Sequence, residues 1–130
     1  MEFEAALNEM QGAVEDRLRQ HLDAMVEAGR GYHPTIEDAY GTLREFILRR
    51  GRRIASSATL MTYRGYGGDL DDTILDICAA IEMYRHAILI HDDLVDEDRW
   101  RRGGETVHLS LAGGWTDATA GVRRSSSATG

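Results

Sequence analysis

An all-α helical bundle is the fold class this sequence predicts, and three observations carry that expectation. Apolar residues recur in steps of three and four along most of the chain, no stretch alternates with the period of two that a half-buried strand shows, and glycine clusters divide the helical stretches into separate segments.

The first helix is predicted from Glu2 to about Ala28, where Phe3, Leu7, Met10, Val14, Leu18, Leu22 and Met25 form one stripe that ends near Gly29 and Gly31. His33-Pro34-Thr35 restarts the chain, because proline's fixed φ suits a first helical turn, and Glu37 and Asp38 complement the positive end of the dipole. This second helix carries Tyr40, Leu43, Phe46 and Ile47 toward Gly51. Ile54, Ala58 and Met61 continue the helical spacing as far as Gly65-Tyr66-Gly67-Gly68, whose three glycines disfavour helix. Asp69, Asp71 and Asp72 then offer capping and dipole signals to a fourth helix with Leu70, Ile74, Ile77, Cys78, Ile81, Tyr84, Ile88 and Leu89. As the most apolar of the four it is expected to be central and to run on into Asp92. From Leu109 to Gly130 the chain holds fifteen Gly, Ala, Ser or Thr residues. Such a composition buries little surface, so residues 109–130 are expected to be a disordered tail behind one helical domain spanning residues 1–108.

Charge narrows the function classes. There are 22 acidic against 15 basic residues, a net charge of -7, whereas nucleic-acid binding by counterion release requires a basic surface. All the basic residues are arginine, which removes Schiff-base chemistry and the phosphate-binding lysine of a nucleotide loop and leaves phosphate recognition to guanidinium groups. Cys78 is the only cysteine, so one chain forms neither a disulfide nor a thiolate metal cluster. No run approaches the roughly 18 apolar residues of a membrane span. A cytoplasmic setting without a membrane span is the expectation.

Asp92, Asp93 and Asp96 lie within about one helical turn, and their like charges repel unless something neutralises them. A hard cation such as Mg2+ takes oxygen ligands and reaches a diphosphate through one or two carboxylates while keeping waters. A solvated acidic helix end has the same pattern. The neighbouring residues favour the metal reading: Arg99, Arg101 and Arg102 come directly after the aspartates, supplying forked donors for phosphate oxygens.

The stretch from Leu89 to His108 resembles, nearly position by position, the first aspartate-rich region of trans-isoprenyl diphosphate synthases, the polyprenyl synthetase family. His91 precedes the aspartates, Arg101-Arg102-Gly103 and Thr106-Val107-His108 come after them, and Glu105 stands where that family usually has proline. Upstream, Arg50-Gly51-Arg52-Arg53-Ile54-Ala55-Ser56 is similar to the family's glycine-lysine-x-x-arginine-proline element, with Arg52 for the lysine and Ala55 and Ser56 for the last two positions. Four arginines about one glycine are also what a solvated basic patch looks like. Arg85, seven residues before Asp92, stands in place of a family histidine.

The resemblance covers roughly Glu37 to His108. It implies the N-terminal part of the isoprenoid synthase fold and prenyl transfer from an allylic diphosphate to isopentenyl diphosphate. It further implies Mg2+ on Asp92, Asp93 and Asp96, Arg101 on the allylic diphosphate, and Gly51, Arg52, Arg85 and Arg102 facing isopentenyl diphosphate. Small Ala87 and larger Tyr84 stand at the positions that set product length. The family's second aspartate cluster has no counterpart, since Asp117 is the only acidic residue after Glu105, so the chain alone is expected to be a poor transferase. A homodimer or pairing with a full-length synthase is expected, and the alternative function is a non-catalytic helical subunit or interaction protein that pairs with a complete synthase.

Overall fold

The computed structural model describes residues 2–49 and 51–113. Four helices account for most of them: α1 Glu2–Arg30, α2 Pro34–Ile47, α3 Ile54–Gly65 and α4 Asp72–Val95. The all-α bundle expected from the apolar spacing is the fold that forms. α1, the longest element, packs against α2, α3 and α4, and α3 also packs along α4.

Local chemistry sets the boundaries. The His33 ring accepts a hydrogen bond from the Thr35 amide at the start of α2, with Pro34 in the first turn. Of Asp69, Asp71 and Asp72 it is Asp71 that caps α4, accepting from the Ile74 amide at 3.0 Å. The turn between α1 and α2 brings backbones so close that a Cβ on Gly29 would lie 2.9 Å from Tyr40 and 3.2 Å from the Glu37 nitrogen. The packing produces two apolar clusters. Leu18, Leu22, Phe46, Ile47, Ala79 and Val107 form one, and Met10, Val14, Leu60, Ile74 and Cys78 form the other. The α1 stripe predicted from sequence thus serves both. Cys78 is a free, buried thiol whose pKa is pushed up by burial and then by Glu82, which suits a small core residue rather than a reactive one.

Two features depart from expectation. After α4 the chain makes a short hairpin, β1 Trp100–Arg101 paired antiparallel with β2 Gly104–Glu105. Its two loop residues, Arg102 and Gly103, have φ of +51° and +78°, the left-handed pattern of a type I′ turn. Strands of two residues are too short to alternate, so turn chemistry and not periodicity was their only signal. Secondly, residues 107–113 are helical, and Val107 is buried in the core. Helix therefore includes the first five residues of the expected tail, 109–113. The rest of that tail lies outside the described residues. No helix among the described residues is long and apolar enough to cross a membrane.

α1 and α4 are also linked by charge. Asp76 accepts from Arg17 Nε and pairs with His21 Nε2, both at 2.6 Å. These hydrogen bonds, that from Arg17 first, lower its pKa from 3.8 to about 2. A carboxylate with a depressed folded-state pKa contributes stability above its unfolded value, and that contribution disappears as pH falls through the folded one. Asp76→Asn is therefore expected to lower the urea midpoint at pH 5, with the gap to the parent closing between about pH 4 and pH 2. A gap that stays constant over that range would show that the Asp76 charge is not what joins the helices.

Candidate functional site

The C-terminal end of α4 presents its carboxylates unevenly. Asp92 and Asp96 are exposed, whereas Asp93 turns inward and is fully buried. Asp93 Oδ1 accepts from Arg101 Nε at 2.7 Å, and its Oδ2 is buried with no hydrogen-bond partner. The three aspartates expected to share one metal thus divide into an exposed pair one turn apart and an inward carboxylate bound to the hairpin. Among the described residues no three His, Cys, Asp or Glu side chains are grouped closely enough to hold a metal ion. The donor chemistry of the exposed pair nevertheless fits a hard divalent cation that keeps most of its waters. The last turn of α4 carries no basic residue, so aspartates face the negative end of the helix dipole with nothing on the helix to offset them. A cation would relieve that.

The hairpin is held from below by Arg49. Its guanidinium lies over the Phe46 ring, pairs with Glu45 and donates to the Arg101 and Glu105 carbonyls at 2.9 and 2.8 Å. This clamp fixes where Arg101 and Arg102 emerge. The Arg101 side chain then reaches Asp93, and Asp98 lies 3.9 Å from its Nη2.

Arg102 takes a different course. It packs on Gly51, where a Cβ would sit 3.0 Å from the guanidinium carbon, so glycine is what permits this approach. Its Nη1 lies 3.1 Å from His86 Nε2. Burial, then Arg85 and Arg53, lower the Arg102 pKa against the pull of Glu82. Arg52, Arg85 and Arg102 form no ion pair with any carboxylate among the described residues. Of the substrate residues expected from sequence, Gly51, Arg85 and Arg102 are brought together. Arg52 is exposed instead on a groove of about 600 Å³ between α1 and α3, beside Phe3, Leu7, Ile54 and Met61.

Behind Arg102 lies a buried polar network that the sequence patterns did not single out. Glu82, 1% exposed, accepts from Arg53 Nη1 at 3.1 Å and from Ser56 Oγ at 2.7 Å, while Arg53 Nη2 donates to the Ile47 carbonyl. Arg53 belonged to an apparent basic surface patch and Glu82 to an apolar run. For Glu82 the available signal was a charge on the face of α4 that the helical period turns inward, whereas Arg53 precedes α3 and had no such signal.

Removing Arg101 strands a buried carboxylate. Arg101→Ala is expected to lower stability by about 3–5 kcal/mol, the usual consequence of breaking one side of a buried pair. Adding Asp93→Asn to it should recover part of that loss. Equilibrium urea denaturation of the single and double variants reads this directly, and an unchanged midpoint for Arg101→Ala would contradict the buried contact.

Comparison with known proteins places this geometry. The polyprenyl synthetase family profile matches residues 37–122. A short chain isoprenyl diphosphate synthase of Methanocaldococcus jannaschii is 36% identical over 88 residues, 68% of this chain and 27% of the relative. A geranylgeranyl pyrophosphate synthase of Geoglobus acetivorans is 32% identical over 95 residues, 73% of this chain and 29% of the relative. A geranylgeranyl diphosphate synthase of Pantoea ananas is 39% identical over 69 residues, 51% of this chain and 23% of the relative. The chain spans less than a third of the length of these curated relatives. No solved structure matches it. With the match extending over residues 37–122, the helical chain with an aspartate-rich end on α4 and an arginine hairpin beyond it belongs to the polyprenyl synthetase family.

Proposed function

We propose that this chain carries part of a diphosphate-binding site for prenyl transfer from an allylic diphosphate to isopentenyl diphosphate. The observation that carries this is the uncompensated positive charge around Gly51: Arg102 is partly buried with a neutral ring as its hydrogen-bond partner, and Arg85 beside it has no counter-ion among the described residues. Cations held close together at a half-buried site repel one another unless an anion joins them, and forked guanidinium donors match a diphosphate.

In this assignment Arg102 and Arg85 hold the diphosphate of isopentenyl diphosphate, with Gly51 leaving room for it. Asp92 and Asp96 would hold Mg2+, and Asp93 acts mainly by orienting Arg101, whose remaining N–H groups face the allylic diphosphate. Bound magnesium supplies neutralisation of the charge that develops on a departing diphosphate. The apolar residues Ile77, Tyr84 and Ile88, which α4 leaves exposed on the way to Asp92, offer a surface for the prenyl chain. Tyr84, 71% exposed, keeps the length-limiting role suggested by its position. A cytoplasmic setting belongs to the same proposal, in keeping with a free buried Cys78.

The same exposed stripe on α4 favours a second reading, a helical subunit that docks on a full-length synthase or on its own copy. A transfer assay with labelled isopentenyl diphosphate and an allylic diphosphate, run with and without a full-length partner, separates the two. Product formed only with the partner present favours the subunit.

Two variants test the site. Arg102→Gly keeps the left-handed turn and relieves a non-glycine φ that costs roughly 1–2 kcal/mol, which offsets the lost contact to His86 and leaves stability near the parent. Its affinity for inorganic pyrophosphate should nevertheless fall about ten- to a hundredfold, the equivalent of a charge-assisted hydrogen bond. Asp92→Asn with Asp96→Asn should remove the magnesium-dependent part of allylic diphosphate binding while leaving pyrophosphate binding without metal intact. Calorimetric titrations that show both variants binding like the parent would refute the assignment.

A further inference from the structure

His86 has no assigned role in the family pattern that the site resembles, yet it is 1% exposed and sits between the buried network and Arg102. Its two ring nitrogens have different partners. Nδ1 lies 2.7 Å from the Glu82 carbonyl oxygen, which only accepts, so Nδ1 carries the proton. Nε2 lies 3.1 Å from Arg102 Nη1, and a guanidinium only donates, so Nε2 offers its lone pair. The ring is therefore the neutral Nδ1–H tautomer, held edge-to-face against Phe46 with centroids 5.7 Å apart.

We propose that His86 is a positioning residue: its unprotonated Nε2 holds Arg102 over Gly51 in the orientation that receives a diphosphate, and protonation of that nitrogen releases the arginine. The inference rests on the assignment of Arg102 as a diphosphate ligand. A proton on Nε2 would replace an N–H···N hydrogen bond with two cations facing each other at hydrogen-bond distance. The arginines around the ring resist that proton, and Glu82 favours it. From α4 come Glu82 and Arg85, from the start of α3 Arg53, and from the hairpin Arg102; α2 contributes the neutral Phe46. Glu82, the only carboxylate of the set, has its oxygens engaged by Arg53 and Ser56 and stands 3.8 Å from Nδ1. Burial first, then Arg102 and Arg53, lower the His86 pKa against the opposing pull of Glu82.

The backbone gives the contact something to hold. Arg102 adopts φ +51°, which disfavours any residue with a Cβ, so the side chain is presented at a conformational cost that the His86 contact helps to offset. Releasing it would free both the side chain and the turn.

The test compares the parent, His86→Gln and His86→Leu. Glutamine keeps an acceptor near the Nε2 position and does not titrate; leucine fills similar space and accepts nothing. Inorganic pyrophosphate binding is measured by calorimetry from pH 8 to pH 4, with circular dichroism confirming the fold at each pH. Because pyrophosphate itself ionises in this range, the parent is read against His86→Gln. At pH 8 His86→Leu should bind about tenfold more weakly than the parent and His86→Gln within about threefold of it, the scale of one neutral hydrogen bond. As pH falls below the ordinary histidine range toward pH 4, the parent should lose affinity relative to His86→Gln, by about tenfold once the ring is protonated. Nitrogen-15 spectra of the parent should show His86 protonated at Nδ1 alone at pH 8. Pyrophosphate binding by His86→Leu equal to that of His86→Gln, parallel pH profiles, or an Nε2–H tautomer would each overturn the positioning role and leave the Arg102 assignment standing. Absence of pyrophosphate binding by the parent at every pH would overturn both.

Discussion

Glu82 is the residue on which the arrangement of the site turns. It is a carboxylate sealed into α4, and an unpaired charge there would be far too unfavourable to persist. It is tolerated because α3 begins where it does: Arg53, the residue before the helix, and Ser56, in its first turn, both deliver donors to it. Arg53 also donates to the Ile47 carbonyl at the end of α2, satisfying one of the acceptors a helix terminus leaves open. One ion pair therefore fixes three helix segments relative to one another. Apolar residues of the same volume would give comparable stability, since a buried pair gains little over good packing. What the pair adds is a fixed position for the loop between α2 and α3, and Gly51 is in that loop.

The same helix carries the consequence outward. One turn beyond Glu82, His86 bonds the Glu82 carbonyl and faces Arg102. Two turns further on, Asp93 faces Arg101. The hairpin is thus attached to α4 at two points by consecutive arginines that turn to opposite tasks, one neutralising a buried carboxylate and the other left without a carboxylate partner. Consecutive side chains of a strand diverge, and the Arg102 position is already in the turn with a left-handed φ. This divergence leaves Arg102 without a carboxylate partner while its neighbour Arg101 is tied to Asp93.

Much of this was legible in the sequence, and the limits have physical causes. Helix positions could be read because each carries a long apolar stripe with punctuating glycines, and the ends came within a few residues of Arg30, Ile47, Gly65 and Val95. Family resemblance implied that Gly51, Arg52 and Arg102 face one substrate, and in the fold Arg102 packs on Gly51 while Arg52 is exposed on another groove. The aspartate triplet was less secure for a geometric reason. Adjacent helix residues point about 100° apart, so Asp92 and Asp93 cannot share one face, and spacing alone does not say which of them the core takes. Nor could spacing reveal Glu82 paired with Arg53, because the partners are 29 positions apart and each looks ordinary beside its own neighbours. Long-range electrostatic pairing is a property of the fold and has no short-range signature.

Stability and the proposed chemistry meet in the composition of the site. Lysine is absent throughout, and the arginines that replace it are difficult to discharge, so a guanidinium enclosed by the fold must be matched by a carboxylate, by a neutral acceptor or by a ligand. Arg53 is matched by a carboxylate and becomes structural, and Arg101 is matched by Asp93 through Nε while its outer N–H groups stay partly exposed. Arg102 is matched by a neutral imidazole, a partner that orients it without cancelling its charge, and Arg85 has no ion-pair partner among the described residues. The distinction between holding the fold and binding a diphosphate therefore lies less in which residues are arginine than in what each one faces.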